Sequence, residues 1–252
     1  MKTVSYIEGK PVSLAVLDFG LFRVHAGGRV IGICGFLIRT DAGEAVLVDT
    51  GFPAKYAYDI ATSSAEDRLG EFGEVLECTP DHLPAAQLGK CGLGLGDIDL
   101  VILTHSHIDH VGGIAGFPQA PIVLSRAEHD LDKPLYWGDV RAMDWPDREY
   151  RVIDEDTEIG PGLRLLLTPG HAPGQMSLML ELPDTGPVLL TSDAISRPAE
   201  IDEGFAGAPD PAAARASAAR LMALADERDA FVIYGHWPEQ WDTLRKAPGI
   251  YT

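Results

Sequence analysis

One stretch decides the fold of this chain: Leu100-Val101-Ile102-Leu103-Thr104-His105-Ser106-His107-Ile108-Asp109-His110. Its apolar half predicts a strand, and its polar half places three histidines and an aspartate directly after that strand. Imidazole nitrogen and carboxylate oxygen are the ligands that zinc and similar divalent ions take. A strand that ends in a turn would point His105 and His107 to one side and bring Asp109 and His110 to a second point. The stretch therefore predicts ligands for two adjacent metal ions.

Three further candidate ligands follow apolar runs later in the chain. Functional side chains of sheet proteins commonly lie where strands end in loops. Because four strand ends each supply a ligand type, we expect them to meet at one metal site. Lone histidines are more often ordinary core or surface residues, so His25, His82 and His129 are predicted to be structural. The added ligands are His171 after Leu163 to Leu167, Asp193 after Val188 to Thr191, and His236 after Phe231 to Tyr234.

The H-x-H-x-D-H pattern with the later histidines and aspartate resembles the metallo-β-lactamase-fold hydrolase superfamily. The resemblance extends from about Val30 to His236 and includes the acidic turn Val48-Asp49-Thr50-Gly51. It implies two divalent metal ions, with zinc as the first candidate, although manganese, iron and cobalt accept the same ligands. The implied ligands are His105, His107 and His171 for one ion, Asp109, His110 and His236 for the other, and Asp193 as the bridge.

Within that superfamily the chain is most similar to the N-acyl homoserine lactonases. The loop 169–177 resembles their third-ligand loop, and the segments 235–241 and 244–251 resemble their C-terminus. One position differs, because those lactonases usually have a tyrosine three residues after the bridging aspartate and this chain has Ser196. A serine hydroxyl is shorter and less acidic than a phenol, so it meets a substrate carbonyl differently.

The resemblance implies a dinuclear hydrolase, with quorum-quenching activity, that opens a lactone ring by attack of a metal-bridging hydroxide. It assigns Asp109 to carry a proton to the leaving oxygen and leaves Ser196 as the candidate in the place of the tyrosine. Asp49 has two interpretations: it accepts a hydrogen bond from a ligand imidazole, or it caps the turn at Gly51.

Other functions are compatible with the same ligands. The metal pair also serves another ester, a lactam, a thioester, a phosphotriester or an aromatic lactone such as a pyridoxolactone. A non-catalytic metal-binding protein is disfavoured because all seven ligand positions are filled. A di-iron redox enzyme is disfavoured, because it would usually have a carboxylate in place of a histidine of the motif and this chain keeps His107 and His110. A nuclease is disfavoured as well, because it would need basic grooves and the net charge is −18.

Composition narrows the partners. The 252 residues are 46% hydrophobic, which suits one large α/β domain spanning 1–252. The net charge of −18 argues against nucleic acid and against an anionic membrane, and it favours a neutral small-molecule substrate. Neither a secretory signal nor a membrane-spanning run is recognisable, so a cytoplasmic location is expected. The aromatic segments are compatible with a homodimer.

The order of apolar runs predicts two sheets packed face to face between helical layers, an αββα sandwich. Strands are expected at 12–16, 31–38, 45–48, 100–103 and 122–124, and again at 163–167, 177–181, 188–191 and 231–234. Helices are expected within 55–67, at 125–128 and at 211–230, whereas 76–95 is expected to be an irregular connection that ends in a helix turn before Asp97. The aromatic segment 131–150 is either a surface loop or an insertion that lines an apolar pocket over the metals, together with Phe22 and Phe52.

Overall fold

Two mixed β-sheets lie at the centre of the computed structural model, which describes residues 2–252. Going from one edge of the N-terminal sheet to the other, its strands are β5 (Gly73–Glu77), β2 (Pro11–Val24), β3 (Val30–Thr40), β4 (Ala45–Val48), β6 (Leu100–Ile102), β7 (Ile122–Ser125) and β8 (Tyr150–Ile153). The strands of the C-terminal sheet are β1 (Lys2–Thr3), β9 (Thr157–Gly160), β10 (Leu163–Leu167), β11 (Met176–Leu182), β12 (Gly186–Ser192) and β13 (Phe231–Tyr234).

Helices connect the strands and cover the outer faces of the sheets. The longest of them packs alanines and Leu221 against the C-terminal sheet. Leu88 and Val111, on two short helices, belong to the core on the outer face of the N-terminal sheet. The helices are α1 (Ile60–Glu66), α2 (Pro84–Lys90), α3 (Ile108–Val111), α4 (Arg126–His129), α5 (Ala199–Asp202), α6 (Pro211–Arg228) and α7 (Pro238–Trp241).

The central strands are buried on both faces, which explains their nearly continuous apolar sequences. In β4, Leu47 packs into the core beneath the helices, whereas Val46 and Val48 pack between the sheets. In β11, Leu178 lies between the sheets and Met179 faces α6. Successive residues alternate between the two faces of a strand, so each of these strands joins two apolar layers. The expected αββα sandwich is confirmed.

Strand direction brings the ends of several strands to one edge. β4, β6 and β7 are parallel neighbours in the N-terminal sheet, and β12 and β13 are parallel neighbours in the other. Parallel neighbours end at the same edge of their sheet, so the loops after β6, β12 and β13 can approach one another. These are three of the four loops that carry the candidate ligands.

Several predicted elements are confirmed. The strands expected at 31–38 and 45–48 are β3 and β4, which pair antiparallel. The Ser125 side chain accepts a hydrogen bond from the Glu128 backbone at the start of α4. The side chain of Asp210 caps α6 in the same way, which satisfies amide groups that a helix start leaves unpaired.

Other predicted boundaries are wrong, and each has a local cause. β2 continues past Val16 to Val24, because its pairing with β3 resumes at Leu21 after a register shift that begins at Asp18. The segment 76–95 contains α2, which begins at Pro84, a residue whose fixed φ suits the first turn of a helix. The short strands β1, β8 and β9 lie at or near sheet edges and carry little apolar pattern.

Within residues 2–252, every helix is too short or too polar to cross a membrane. The three cysteines are free thiols; Cys34 and Cys78 are buried and Cys91 is half-buried.

Replacing Leu178 by alanine should lower the free energy of unfolding by about 2–5 kcal/mol, because a fully buried leucine between the two sheets would leave a cavity. Urea unfolding followed by circular dichroism measures this change. Ile201→Ala is the control, since Ile201 is 42% exposed and its truncation should change the midpoint little. Equal effects of the two substitutions would contradict the two-sheet core.

Candidate metal centre

The loop after β6 turns sharply into α3, and this turn separates the candidate ligands. His107 is the last residue before α3, so Asp109 and His110 lie in its single helical turn. The backbone of Ser106 and Ile108 is hydrogen-bonded to Tyr136 on both sides of His107, which holds the loop against the aromatic segment. Four ligands within six residues therefore point in different directions.

Three groups of ligand atoms come together at the edge where the strands end. In each group the atoms lie within 4.8 Å of one another, a spacing that suits a metal ion. His105 belongs to the first and second groups and His110 to the second and third, so the three groups form one continuous cluster. The groups are His105, His107 and His171; His105, His110 and Asp193; and Asp109, His110 and His236.

Asp193 lies between two outer groups, which are the first group, His105, His107 and His171, and the third group, Asp109, His110 and His236. Its Oδ2 is 3.3 Å from Nε2 of His171, whereas its Oδ1 is 3.5 Å from Nε2 of His110 and 3.2 Å from Nε2 of His236. Each carboxylate oxygen therefore faces a different group. This arrangement suits a carboxylate that bridges two cations.

The arrangement fits metal ions in two respects. Nε2 of His105, Nε2 of His110 and Oδ1 of Asp193 are buried without a hydrogen-bond partner among residues 2–252. Such atoms are costly in a fold unless they have a ligand. Tetrahedral zinc with bonds of 2.0–2.1 Å keeps its ligand atoms about 3.3–3.4 Å apart. The distances of 3.2–3.6 Å around Asp193 and Asp109 match that spacing.

Burial favours the neutral imidazole form of His105, His107 and His171. It lowers the pKa of His105 and His107, and the neighbouring imidazoles lower both further. Burial also lowers the pKa of His171, although Asp193 opposes the shift. A neutral imidazole has a free lone pair, which is the form that binds a metal. We refer to His105, His107 and His171 as the three-histidine group.

The group Asp109, His110 and His236 contains one carboxylate and lies beside two more, those of Asp49 and Asp193. Burial opposes a charge on His110, but Asp109, Asp49 and Asp193 raise its pKa to about 10. Asp193 and Asp109 likewise raise the pKa of His236 against the effect of burial. Burial opposes ionisation of Asp193, yet His236 and His110 hold its pKa well below its ordinary range. The carboxylates thus stabilise positive charge here, whether a proton or a metal ion carries it. We refer to Asp109, His110 and His236 as the carboxylate group.

Asp49 makes its hydrogen bonds to the metal loop. Its Oδ2 lies 2.8 Å from Nδ1 of His110 and accepts a hydrogen bond from the Thr104 hydroxyl at 2.8 Å. Its Oδ1 accepts one from the Thr104 amide at 2.8 Å. The geometry favours the imidazole interpretation of Asp49 over the turn cap at Gly51. A carboxylate in this position fixes the ring of a ligand and raises its basicity.

A cavity of about 600 Å³ opens beside the ligands. Phe22, Phe52, Phe72 and Trp137 form an aromatic wall, with neighbouring rings 5.9–6.2 Å apart. The structure thus places Phe22 and Phe52 at the cavity, as the sequence predicts. Lining residues from the ligand cluster are His107, Asp109, His171, Asp193 and His236.

Only part of the aromatic segment 131–150 lines the cavity. Tyr136 and Trp137 line the cavity, and Nε1 of Trp137 donates a hydrogen bond to the backbone of Asp67. Trp145 and Tyr150 instead pack against each other at 6.3 Å, outside the cavity lining. Part of the segment therefore lines the pocket, whereas Met143, Trp145 and Tyr150 pack outside the pocket against the core of the N-terminal sheet.

A polar corner also lines the cavity. It consists of Ser196, Arg197, Glu200 and Arg29. Arg197 is paired with Glu203, and Glu200 accepts a hydrogen bond from the Ser196 amide at 2.8 Å. Burial raises the pKa of Glu200, although the donated hydrogen bonds oppose this shift.

Sequence reasoning missed several of these residues. Arg29, Phe72, Glu200 and Phe205 line the cavity, yet each lies in a loop or short helix whose local sequence carries no signal for it. The three histidines predicted to be structural lie outside the ligand groups. His82 is hydrogen-bonded to Thr79, His129 packs on Tyr150, and His25 is exposed.

Comparison with known proteins agrees with this geometry. A family model described as "Metallo-beta-lactamase superfamily" matches residues 35–236. The N-acyl homoserine lactonase AiiA of Bacillus thuringiensis subsp. kurstaki is 33% identical over 224 residues, 84% of each chain. The N-acyl homoserine lactonase AttM of Rhizobium radiobacter is 30% identical over 243 residues, 86% of each chain.

A solved structure extends the similarity to three dimensions. It is an N-acyl homoserine lactone hydrolase with the product N-hexanoyl-L-homoserine bound at its catalytic metal center. It superposes with a TM-score of 0.82 at 27% identity and covers 97% of this chain and 100% of that one.

Zinc should raise the melting temperature of the metal-free protein, because metal binding satisfies buried atoms such as Nε2 of His105. With free zinc at 100 times its Kd, the expected stabilisation is about 2.7 kcal/mol. Thermal denaturation with and without a chelator measures the shift. His105→Ala should show a much smaller response, and a response equal to that of the wild type would place the zinc elsewhere.

Proposed function

We propose, from the premise that this chain belongs to the metallo-beta-lactamase superfamily, that it is a metal-dependent hydrolase that opens lactone rings. N-acyl homoserine lactones are the first substrate class, since the curated relatives carry that activity in their names. The observation that supports this proposal is the convergence of seven candidate ligand side chains, five of which line a largely apolar cavity. Such a cavity suits a neutral substrate with an apolar substituent.

The three-histidine group would hold one divalent ion and the carboxylate group the other, with Asp193 between them. We propose zinc as the metal because tetrahedral spacing and imidazole ligands suit it. When bound, the ions would polarise the substrate carbonyl and supply a water-derived nucleophile at neutral pH. Asp49 would orient the His110 ring through its hydrogen bond to Nδ1.

Asp109 is the proposed proton carrier. Its Oδ2 lies 3.5 Å from Nε2 of His110 and 3.6 Å from Nε2 of His236, and the residue also lines the cavity. It therefore reaches both the ligand cluster and the space where a substrate would lie. Ring opening breaks the bond between the carbonyl carbon and the ring oxygen and leaves that oxygen as an alkoxide; the Asp109 carboxylate would take the proton of the attacking hydroxyl group and deliver it to the alkoxide.

Ser196 is the proposed substrate contact in the polar corner. It is 7% exposed, lines the cavity, and follows Asp193 by three residues. The hydrogen bond from its amide to Glu200 fixes its backbone. Its hydroxyl would donate a hydrogen bond to a substrate oxygen, either directly or through a water molecule.

A second candidate function is hydrolysis of an aromatic lactone, such as a pyridoxolactone, or of another ester, lactam, thioester or phosphotriester. The aromatic wall favours this candidate, because Phe22, Phe72 and Trp137 present near-parallel neighbouring rings to the cavity. Ser196, in the place of a bulkier tyrosine, leaves room for a planar ring at the polar corner.

The deciding experiment measures proton release by zinc-loaded protein supplied with an N-acyl homoserine lactone, with a chelated sample alongside. Rapid acidification that depends on the metal would establish the lactonase. Acidification only with aromatic lactones or other esters would favour the second candidate. Full activity in a verified metal-free sample would contradict the metal-dependent mechanism.

Asp109→Asn should reduce kcat by about 10²–10⁴-fold, because the amide cannot deliver a proton to the leaving oxygen. The fold should persist, which circular dichroism checks. Asp147→Asn is the matched control, since Asp147 is an exposed aspartate in the aromatic segment. A kcat close to that of the wild type in the folded, zinc-loaded Asp109 variant would remove this residue from the mechanism.

Ser196→Ala should lower kcat/KM for the best lactone by roughly tenfold, the loss expected for one hydrogen bond of about 1.4 kcal/mol. Zinc content should stay unchanged, because the Ser196 side chain is not among the grouped ligand atoms. Steady-state kinetics and metal analysis on the same sample measure both quantities. Unchanged kcat/KM would show that Ser196 does not contact the substrate.

A further inference from the structure

Glu128 is a buried carboxylate to which the proposed reaction gives no role. It lies in α4, is 1% exposed, and is not a member of the ligand groups. A carboxylate without water is costly unless protein donors replace the lost hydrogen bonds. The identity of those donors indicates what the residue does.

The donors belong to two ligand loops. Oε2 of Glu128 accepts hydrogen bonds from the Ser106 amide at 3.1 Å and from the Ser106 hydroxyl. Oε1 accepts one from the Gly174 amide at 3.0 Å. Ser106 lies between His105 and His107, and Gly174 lies three residues after His171. One carboxylate thus binds the backbone beside every member of the three-histidine group.

These two loops come from different sheets. Ser106 follows β6 of the N-terminal sheet, whereas Gly174 lies between β10 and β11 of the C-terminal sheet. Relative movement of the sheets would therefore separate the histidines of this group. The two oxygens of Glu128 oppose that movement directly, because each holds one of the loops.

The position of Glu128 is itself constrained. Its amide donates a hydrogen bond to the Ser125 hydroxyl at 3.3 Å, which fixes the start of α4. A Cβ atom at Gly174 would lie 2.0 Å from that hydroxyl oxygen and 2.6 Å from Cγ of Glu128. The loop therefore approaches this closely only with glycine at position 174.

The carboxylate group has a separate support. Asp49 binds the His110 ring directly and reaches the three-histidine group only through Thr104, whose hydroxyl lies 3.2 Å from Nδ1 of His105; its hydrogen bonds do not involve Ser106 or Gly174. The two buried carboxylates accordingly hold different parts of the ligand cluster. A change at one of them should affect one metal position more than the other.

We propose that Glu128 is a positioning residue that sets metal affinity at the three-histidine group by holding the 105–107 and 171–174 loops together. The proposal rests on the metal centre of the proposed function, but not on the identity of the substrate. It can therefore be tested by metal binding alone, without any lactone.

The test is a zinc titration of the metal-free protein in competition with a chromophoric chelator. Glu128→Gln keeps the side-chain shape but turns an amide NH₂ towards donors, so it loses part of the contact. His171→Ala identifies which binding step belongs to the three-histidine group. Asp49→Asn identifies the binding step that belongs to the carboxylate group, because Asp49 contacts the His110 ring. Glu149→Gln is the matched control, since Glu149 is an exposed glutamate paired with Arg151.

Glu128→Gln should weaken by about 10–100-fold the step that His171→Ala removes, the usual loss when a supporting contact of a ligand is broken. The other step should stay within about threefold of the wild type. Asp49→Asn should instead weaken the step at the carboxylate group most, because Asp49 contacts the His110 ring directly and His105 only through Thr104. Equal weakening of both steps, or unchanged affinity in a folded Glu128→Gln protein, would overturn the proposal.

A second variant covers the case in which Glu128→Gln does not fold. Ser106→Ala removes only the hydroxyl that donates to Glu128, and it should weaken the same step by a smaller factor. Unchanged zinc binding in folded Ser106→Ala would then overturn the proposal. If the wild type binds two zinc ions but opens no lactone, the proposed substrate is wrong, and the titration still decides the role of Glu128.

Discussion

The structure depends on burying a cluster of imidazole and carboxylate atoms that have no partner of their own. Nε2 of His105, Nε2 of His110 and Oδ1 of Asp193 lack hydrogen-bond partners among residues 2–252. A buried unsatisfied polar atom costs roughly 1–3 kcal/mol, so the surrounding fold must hold these side chains against their tendency to separate. Two sheets packed face to face, with strand ends meeting at one edge, provide that rigidity.

Hydrogen bonds among the residues next to the candidate ligands hold the two sheets together at this edge. Ser192 donates to the Thr104 hydroxyl, which in turn donates to Asp49. This chain joins the end of β12 in one sheet to the loops after β6 and β4 in the other. Ser192 and Asp49 both have positive φ, at 46° and 59°, a conformation that disfavours ordinary side chains. The backbone therefore stores strain at the site, and the packed sheets maintain it.

The same edge separates two chemical environments. One side of the cavity lining carries candidate ligands, among them His236, whose pKa neighbouring carboxylates raise, and another side is the aromatic wall. A neutral substrate can place its reacting carbonyl at the first side and an apolar substituent against the second. Asp49 binds the His110 ring, whereas Glu128 binds Ser106 and Gly174, so the two buried carboxylates hold different parts of the candidate ligand cluster.

The sequence by itself determined the αββα architecture and which side chains are ligand candidates. His105, His171 and His236 follow apolar runs. An apolar run predicts a strand, and the polar residues after it are therefore predicted to lie in the loop at the end of that strand. Only the tertiary structure decided that Asp49 supports His110, that Phe72 and Arg29 line the cavity, and that Glu128 joins two ligand loops. Glu128 and Gly174 are 46 residues apart and their loops belong to opposite sheets. Such a contact depends on how the sheets pack, because local propensity and periodicity carry no information about which distant loops will meet.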